Sequence, residues 1–222
     1  MPITCRLRSA SSLVLLLLLF GSPVAADSIT LNAIAFASAS DDGPQDGIFD
    51  DFIIGRGSIN NNGFTSFRTA LEFGLAAIPS GSIVNSAALT LSLNNFEGTR
   101  SLRIDGYVGD GSVQLSDFAL DGFLTRMNVG VGSFFVTADA TSLVSKFRPR
   151  GNNFVGFNLR EDPANTRNFL VMFVDEPGAG LGPSLRIDFS PTPEPGTLAL
   201  LGTGLAILVS RHRRFCLITQ RR

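Results

Sequence analysis

Phe67-Arg68-Thr69-Ala70-Leu71-Glu72-Phe73-Gly74-Leu75 is the stretch that decides the fold. Phe67, Thr69, Leu71, Phe73 and Leu75 fall on one side of an extended chain, with Arg68, Ala70 and Glu72 on the other. A period of two marks a strand with one buried side. Pro79-Ser80-Gly81-Ser82 then turns the chain, and Ala87, Leu89, Leu91 and Leu93 alternate with Ala88, Thr90 and Ser92. Similar runs occur at 28–38, 52–56, 102–108, 133–138, 154–161, 168–176 and 184–189. About nine short strands, Gly/Asn/Asp-rich connections and no long amphipathic helix predict an all-β fold, an antiparallel jelly-roll-like β-sandwich over 27–190. One short helix is expected over 142–147, capped by Asp139 or Thr141 and stopped before Pro149. The 17 Phe outside the two end segments are expected to be core.

Working outward, the chain has 222 residues, enough for one medium domain plus processing segments. Its net charge of −1 hides a sorting of charge along the sequence. Residues 1–26 carry Arg6 and Arg8, residues 197–222 carry Arg211, Arg213, Arg214, Arg221 and Arg222, and neither end has an acid. The middle keeps eleven basic residues against nineteen acidic ones, a net charge of −8. Phosphate backbones repel such a domain, so no nucleic-acid partner is expected. Cys5, Cys216 and His212 all lie in the end segments. The middle is left without thiolate or imidazole metal sites, Ser-His-Asp or Cys-His nucleophiles, or disulfides.

The ends read as addresses. Arg6 and Arg8 precede the apolar run Leu13-Val14-Leu15-Leu16-Leu17-Leu18-Leu19-Phe20, Gly21-Ser22-Pro23 breaks it, and Val24-Ala25-Ala26 offers small residues for cleavage. This predicts a signal peptide over 1–26, used by the Sec translocon and signal peptidase. At the other end, 190–196 is a stiff Pro-rich spacer, 197–210 is an apolar helix candidate, and Arg211-His212-Arg213-Arg214 closes it. Fourteen residues reach roughly 21 Å, short of the roughly 30 Å hydrocarbon core, so this transmembrane helix is a marginal anchor. The basic cluster keeps the domain outside under the positive-inside rule. Pro193, Glu194 and Pro195, the short Gly-containing apolar stretch and Arg211, Arg213 and Arg214 together resemble the PEP-CTERM sorting signal of Gram-negative bacteria. The resemblance covers 191–222. It implies recognition and removal of the tail by an exosortase-type inner-membrane peptidase. It also implies a destination at the cell surface or outside the cell, in an exopolysaccharide, biofilm or floc setting.

Several segments of the middle resemble the DNRLRE-type jelly-roll domain and its carbohydrate-binding relatives. These are 68–75 with 77–81, 83–91, 136–144, 153–160 and 183–188. The resemblance implies a sandwich used for surface display or polysaccharide binding.

Candidate sites are few. Asp41, Asp42, Asp46, Asp50 and Asp51 stand within eleven residues bent by Gly and Pro, and can converge on one Ca²⁺ or form an acidic solvated loop. Asp110 and Asp117 can share an ion or satisfy turn amides. Ca²⁺ is the one cofactor these residues offer. A glycan groove can be lined by Arg100, Arg103, Arg160 and Arg167, which otherwise read as solvated strand residues. With no Trp and only Tyr107, stacking on sugar rings falls to Phe. Catalysis would rest on a pair such as Asp105 and Glu161, and nothing in the sequence brings them together. The expectation is a non-catalytic exported protein, structural or adhesive, with a displayed carbohydrate-binding module as the alternative.

Overall fold

The computed structural model describes residues 26–42, 48–55, 57–61, 65–95, 100–120, 122–162, 172–174, 182–191 and 202–204. The chain divides into two compact units, one of residues 26–190 and one made of residues 1–25 with 191–222. Of the expected signal peptide over 1–26, residues 1–25 lie outside the described residues. Of the apolar sorting helix only 202–204 is described, and it is helical. Among the described residues no helix is long and apolar enough to cross a membrane.

Residues 26–190 form an antiparallel jelly-roll-like β-sandwich, with twelve strands among the described residues. They are β1 (Asp27–Asn32), β2 (Ala35–Asp42), β3 (Asp51–Ile54), β4 (Gly57–Asn61), β5 (Thr65–Gly74) and β6 (Ile83–Asn95). Then come β7 (Arg100–Val108), β8 (Phe123–Val129), β9 (Gly132–Asp139), β10 (Phe154–Glu161), β11 (Met172–Val174) and β12 (Ser184–Ser190). In the first sheet β1 pairs with β12, and β12 and β11 share one edge of β6, whose other edge takes β9. The second sheet runs β8-β7-β10-β5-β2-β3. β4 joins the two by pairing with β11 and with β5.

Three strands exceed the nine runs. Residues 28–38 split into β1 and β2 because the chain changes sheets at Ala33 and Ile34, whose amides bond to Pro183 O and Glu72 O. β4 has a single buried apolar residue, Ile59, too little to show a period. β8 has its period broken by a register shift opposite Ile104 and Asp105, so Leu124 and Met127 both pack on the core.

Alternation fills the space between the sheets. Leu89, Leu91, Leu93, Leu185 and Ile187 meet Leu71, Phe73, Leu102, Ile104, Val155, Phe157 and Leu159, all fully buried. Phe73 and Phe157 pack edge to face at 5.8 Å. The short helix α1 (Thr141–Phe147) closes one part of this core with Val144 and Phe147. Its first turn is held by Asp139, whose Oδ1 accepts from Thr141 N at 2.9 Å and Thr141 Oγ1 at 2.5 Å. A second, smaller cluster of Ala37, Ala39, Ala70 and Phe118 lies on the outer side of the second sheet, with Phe49, Phe52 and Val113 against it. Phe118 comes from a 3₁₀ turn (Leu115–Ala119) in the segment between β7 and β8. Its carbonyl is gripped by Asn158 Nδ2 at 2.8 Å and Arg68 Nη1 at 2.9 Å, which fastens this segment over the sheet.

Candidate functional site

The outer side of the second sheet buries charged side chains, Asp105 and Glu72 among them, where the middle of the inner side is apolar. Arg160 on β10, Arg103 on β7 and Arg126 on β8 are direct cross-strand partners, so three guanidinium groups share one row. Like charges placed opposite each other repel. The neighbouring rows supply carboxylates. Asp105 accepts from Arg103 Nε at 2.9 Å and from Arg160 Nε at 2.7 Å. Asp162 takes Arg126 Nε at 2.8 Å and Ser101 Oγ at 3.0 Å. Both carboxylates are almost wholly buried, whereas the Arg126 side chain is 52% exposed. Phe123, 55% exposed, lies with Arg103 Cζ 5.2 Å and Arg126 Cζ 5.3 Å from its ring centroid. Cation–π attraction holds ring and guanidinium groups together. Arg100 is three residues before Arg103 and alternation puts it on the other side of β7, away from this row. Arg167 lies outside the described residues.

Farther along the same face, Glu72 on β5, Gly156 on β10 and Tyr107 on β7 stand in register. A Cβ at Gly156 would sit 2.1 Å from the Tyr107 ring, so the missing side chain is what lets the ring lie across β10. Gly109 likewise presses on Glu72, where a Cβ would come within 2.6 Å of the carboxyl carbon. Glu72 is fully buried, and its Oε2 accepts from Gly111 N at 2.7 Å. Burial raises the Glu72 carboxyl above its usual range, with the charges of Asp117 and Asp110 adding to it against the Gly111 bond. Burial, then the charge of Glu72, raises the Tyr107 phenol far above its usual range. The Tyr107 hydroxyl and the Glu72 carboxyl are near enough for charge and side-chain hydrogen bonding between them to act on both groups. The pair is sealed from solvent and fastens the β7–β8 segment to the sheet.

The sequence-derived candidates fall in three places. Asp41 and Asp42 end β2 opposite Ser66 and Thr65, and Asp51 opens β3 opposite Ser40. Asp41 is buried, and Asp50 N donates to Ser40 O at 2.8 Å. Asp46 lies outside the described residues. Asp110 and Asp117 satisfy their own segment: Asp110 Oδ1 accepts from Ser112 N at 2.9 Å, and Asp117 Oδ2 from Gln114 N at 2.7 Å. Among the described residues no three His, Cys, Asp or Glu side chains group to hold a metal ion. Asp105 and Glu161 are on opposite sides of the sheet, because Asp105 pairs with Asn158 and Glu161 is three residues farther on. Pro193, Glu194, Pro195, Arg211, Arg213 and Arg214 lie outside the described residues. Sequence reasoning missed Arg126 and Phe123, whose strand it did not find, and Glu72, which it placed on a strand side with no cover.

Residues 191–214 match the PEP-CTERM protein-sorting motif. The chain therefore carries a sorting signal of exported proteins. No curated protein sequence matches the chain. Among solved structures, the carbohydrate-binding module TmCBM61 in complex with β-1,4-galactotriose is similar over 71% of this chain and 82% of its own, at 10% identity and a TM-score of 0.25. The Podospora anserina GH26-CBM35 β-(1,4)-mannanase is similar over 76% of this chain and 29% of its own, at 11% identity and a TM-score of 0.28. The chain thus spans less than a third of the mannanase.

Proposed function

We propose that this protein is a non-catalytic display domain, exported through the Sec translocon, trimmed by signal peptidase and delivered to the cell surface or extracellular matrix by an exosortase-type peptidase. Its role there is structural or adhesive within exopolysaccharide. The observation that carries this reading is where the sorting motif begins. It starts at residue 191, directly after β12 ends at Ser190, and β12 is paired on both sides, with β1 and β6. Removing the tail therefore takes no residue from the sheet. The burial that raises both the Glu72 carboxyl and the Tyr107 phenol also keeps them from a substrate, which supports a domain that does no chemistry on one. Ca²⁺ binding at the β2–β3 hairpin, through Asp41, Asp42, Asp46, Asp50 and Asp51, belongs to the same proposal.

The alternative, a displayed carbohydrate-binding module, is favoured by the row of Arg160, Arg103 and Arg126 with the exposed Phe123 beside it. The test of display is mass spectrometry of both termini after full-length expression in a host that has the sorting peptidase. The expected mature chain begins at Asp27 and has lost Arg211 to Arg222. Intact chains retaining Arg222 and stably embedded in the membrane would overturn the proposal.

A further inference from the structure

We propose that docking of the last strand, β12, closes the signal-peptide cleavage site, so that the signal peptide is cut before the first sheet is complete and the sorting tail after. The inference rests on the proposed export and sorting, and adds the order of the two cuts. β1 is the first strand of the domain and β12 the last, yet they are direct partners, with Asp27 opposite Phe189 and Ser28 opposite Asp188. Among the described residues β1 pairs with no other strand. Export delivers the chain from its N-terminus, so β1 has no partner until β12 arrives. Until then the Ala26–Asp27 bond adjoins unpaired chain. Once β12 has docked, the residue on the C-terminal side of that bond is already in a sheet. Asp188 fastens this corner: it accepts from Ser86 Oγ on β6 at 2.7 Å and takes a further hydrogen bond from Ser28 on β1. Ile29 and Leu31 add the packing of β1 on the core. A peptidase that binds its substrate as an extended segment, through backbone hydrogen bonds, needs a paired and packed strand to open first. Hydrolysis puts the hydroxyl of water on the Ala26 carbonyl carbon and its proton on the Asp27 nitrogen, so both residues must enter the cleft. The other end is built the opposite way. β12 stops at Ser190, whose Oγ accepts from Asn85 Nδ2 on β6 at 2.9 Å, and Pro191, Pro193 and Pro195 follow in the sequence. Proline has no N–H to give a ladder, so this stretch cannot extend β12, and the sheet can be complete while the tail is still to be cut.

The test is cleavage of the full chain, refolded in detergent micelles with its signal peptide in place and offered a bacterial signal peptidase, the cut at Ala26 being read by mass spectrometry. A Gly-Ser-Gly-Ser insertion after Ala26 carries the scissile bond away from β1 by about 3.3 Å per residue. That variant should be cut at least about tenfold faster than the parent, whose strand must open locally before each cut. Ile187→Pro breaks β12 midway, where it pairs with Ile29 and Ala87, and should be cut as fast as the insertion variant. An Ile187→Pro chain cut as slowly as the parent would mean that something other than β12 covers the bond, and would overturn the proposal. Equal rates for the parent and the insertion variant would overturn the order and leave the export reading standing. No cut in any of the three chains would remove the signal-peptide assignment and the order with it. In pulse-labelled cells that have the sorting peptidase, the intermediate should have lost its signal peptide and kept its tail. A chain that keeps the signal peptide and has lost the tail would overturn the order as well.

Discussion

On β10, Val155, Phe157 and Leu159 point into the sandwich while Gly156, Asn158 and Arg160 point away, yet five of these six residues are buried. The two sides of one strand have similar burial and opposite chemistry. The inner side meets other apolar side chains, so its requirements are volume and shape. The outer side is covered by the segment between β7 and β8, which brings carbonyls, amides and carboxylates, so each polar atom there needs a matched partner. A buried residue in this domain is therefore not automatically a core residue in the hydrophobic sense.

The largest expected effect comes from the inner side. Phe157→Ala removes a fully buried ring packed against Phe73 and should cost about 3–5 kcal/mol in urea unfolding of the full chain. That loss should be the same at low and high salt, because no charge is involved. On the outer side, Asp105→Ala strips the carboxylate from Arg103 and Arg160 and leaves two cations in adjacent positions. It should cost about 2–3 kcal/mol, below the full penalty for breaking a buried pair because both guanidinium groups keep some solvent. Raising the salt concentration should recover part of it by screening the repulsion. If both variants respond to salt alike, the two sides are not chemically distinct and the comparison fails.

The inner side was legible in the sequence, and the outer side was not. Alternation in Thr69, Leu71 and Phe73 assigned the inner residues of β5 correctly, because a period of two reports directly which side is dry. The same alternation left Ala70 and Glu72 on a side with nothing over them, whereas both are fully buried. Their cover is the segment 109–120, whose only deeply buried apolar residue is Phe118, so it has no periodic signal. The arginine row was half legible. Arg103 and Arg160 were candidates by type, but their partner Arg126 sits on β8, where the register shift erased the alternation. Cross-strand register is a long-range property, and no local window of sequence contains it. The acidic stretch 41–51 shows the converse. Its density of Asp was legible, while the pairing of Asp41 with Ser66 on β5 and of Asp51 with Ser40 on β2 was not.

The smallest expected effect sharpens the comparison most, because it tests whether a buried acid on the outer side is tolerated rather than needed. The Glu72 carboxyl is raised above the usual 4.5 by burial. Below pH 4.5 the folded and unfolded chains are both protonated at this group, and it contributes no pH dependence. As pH rises above 4.5 the unfolded chain releases its proton first, so stability falls until the folded carboxyl has ionised as well. Glu72→Gln removes that fall. The amide can still accept from Gly111 N, and it keeps a polar group beside the Tyr107 hydroxyl. The variant should match the parent near pH 4 and exceed it at pH 8 by on the order of 1 kcal/mol, the scale of one relieved buried polar atom. A residual slope of the same sign should remain, since burial also raises Asp117. Thermal unfolding from pH 4 to pH 8 measures both. If Glu72→Gln instead loses stability across the whole range, the carboxylate is a required partner of the Gly111 amide, and the outer side depends on its charge as strictly as the inner side depends on its rings.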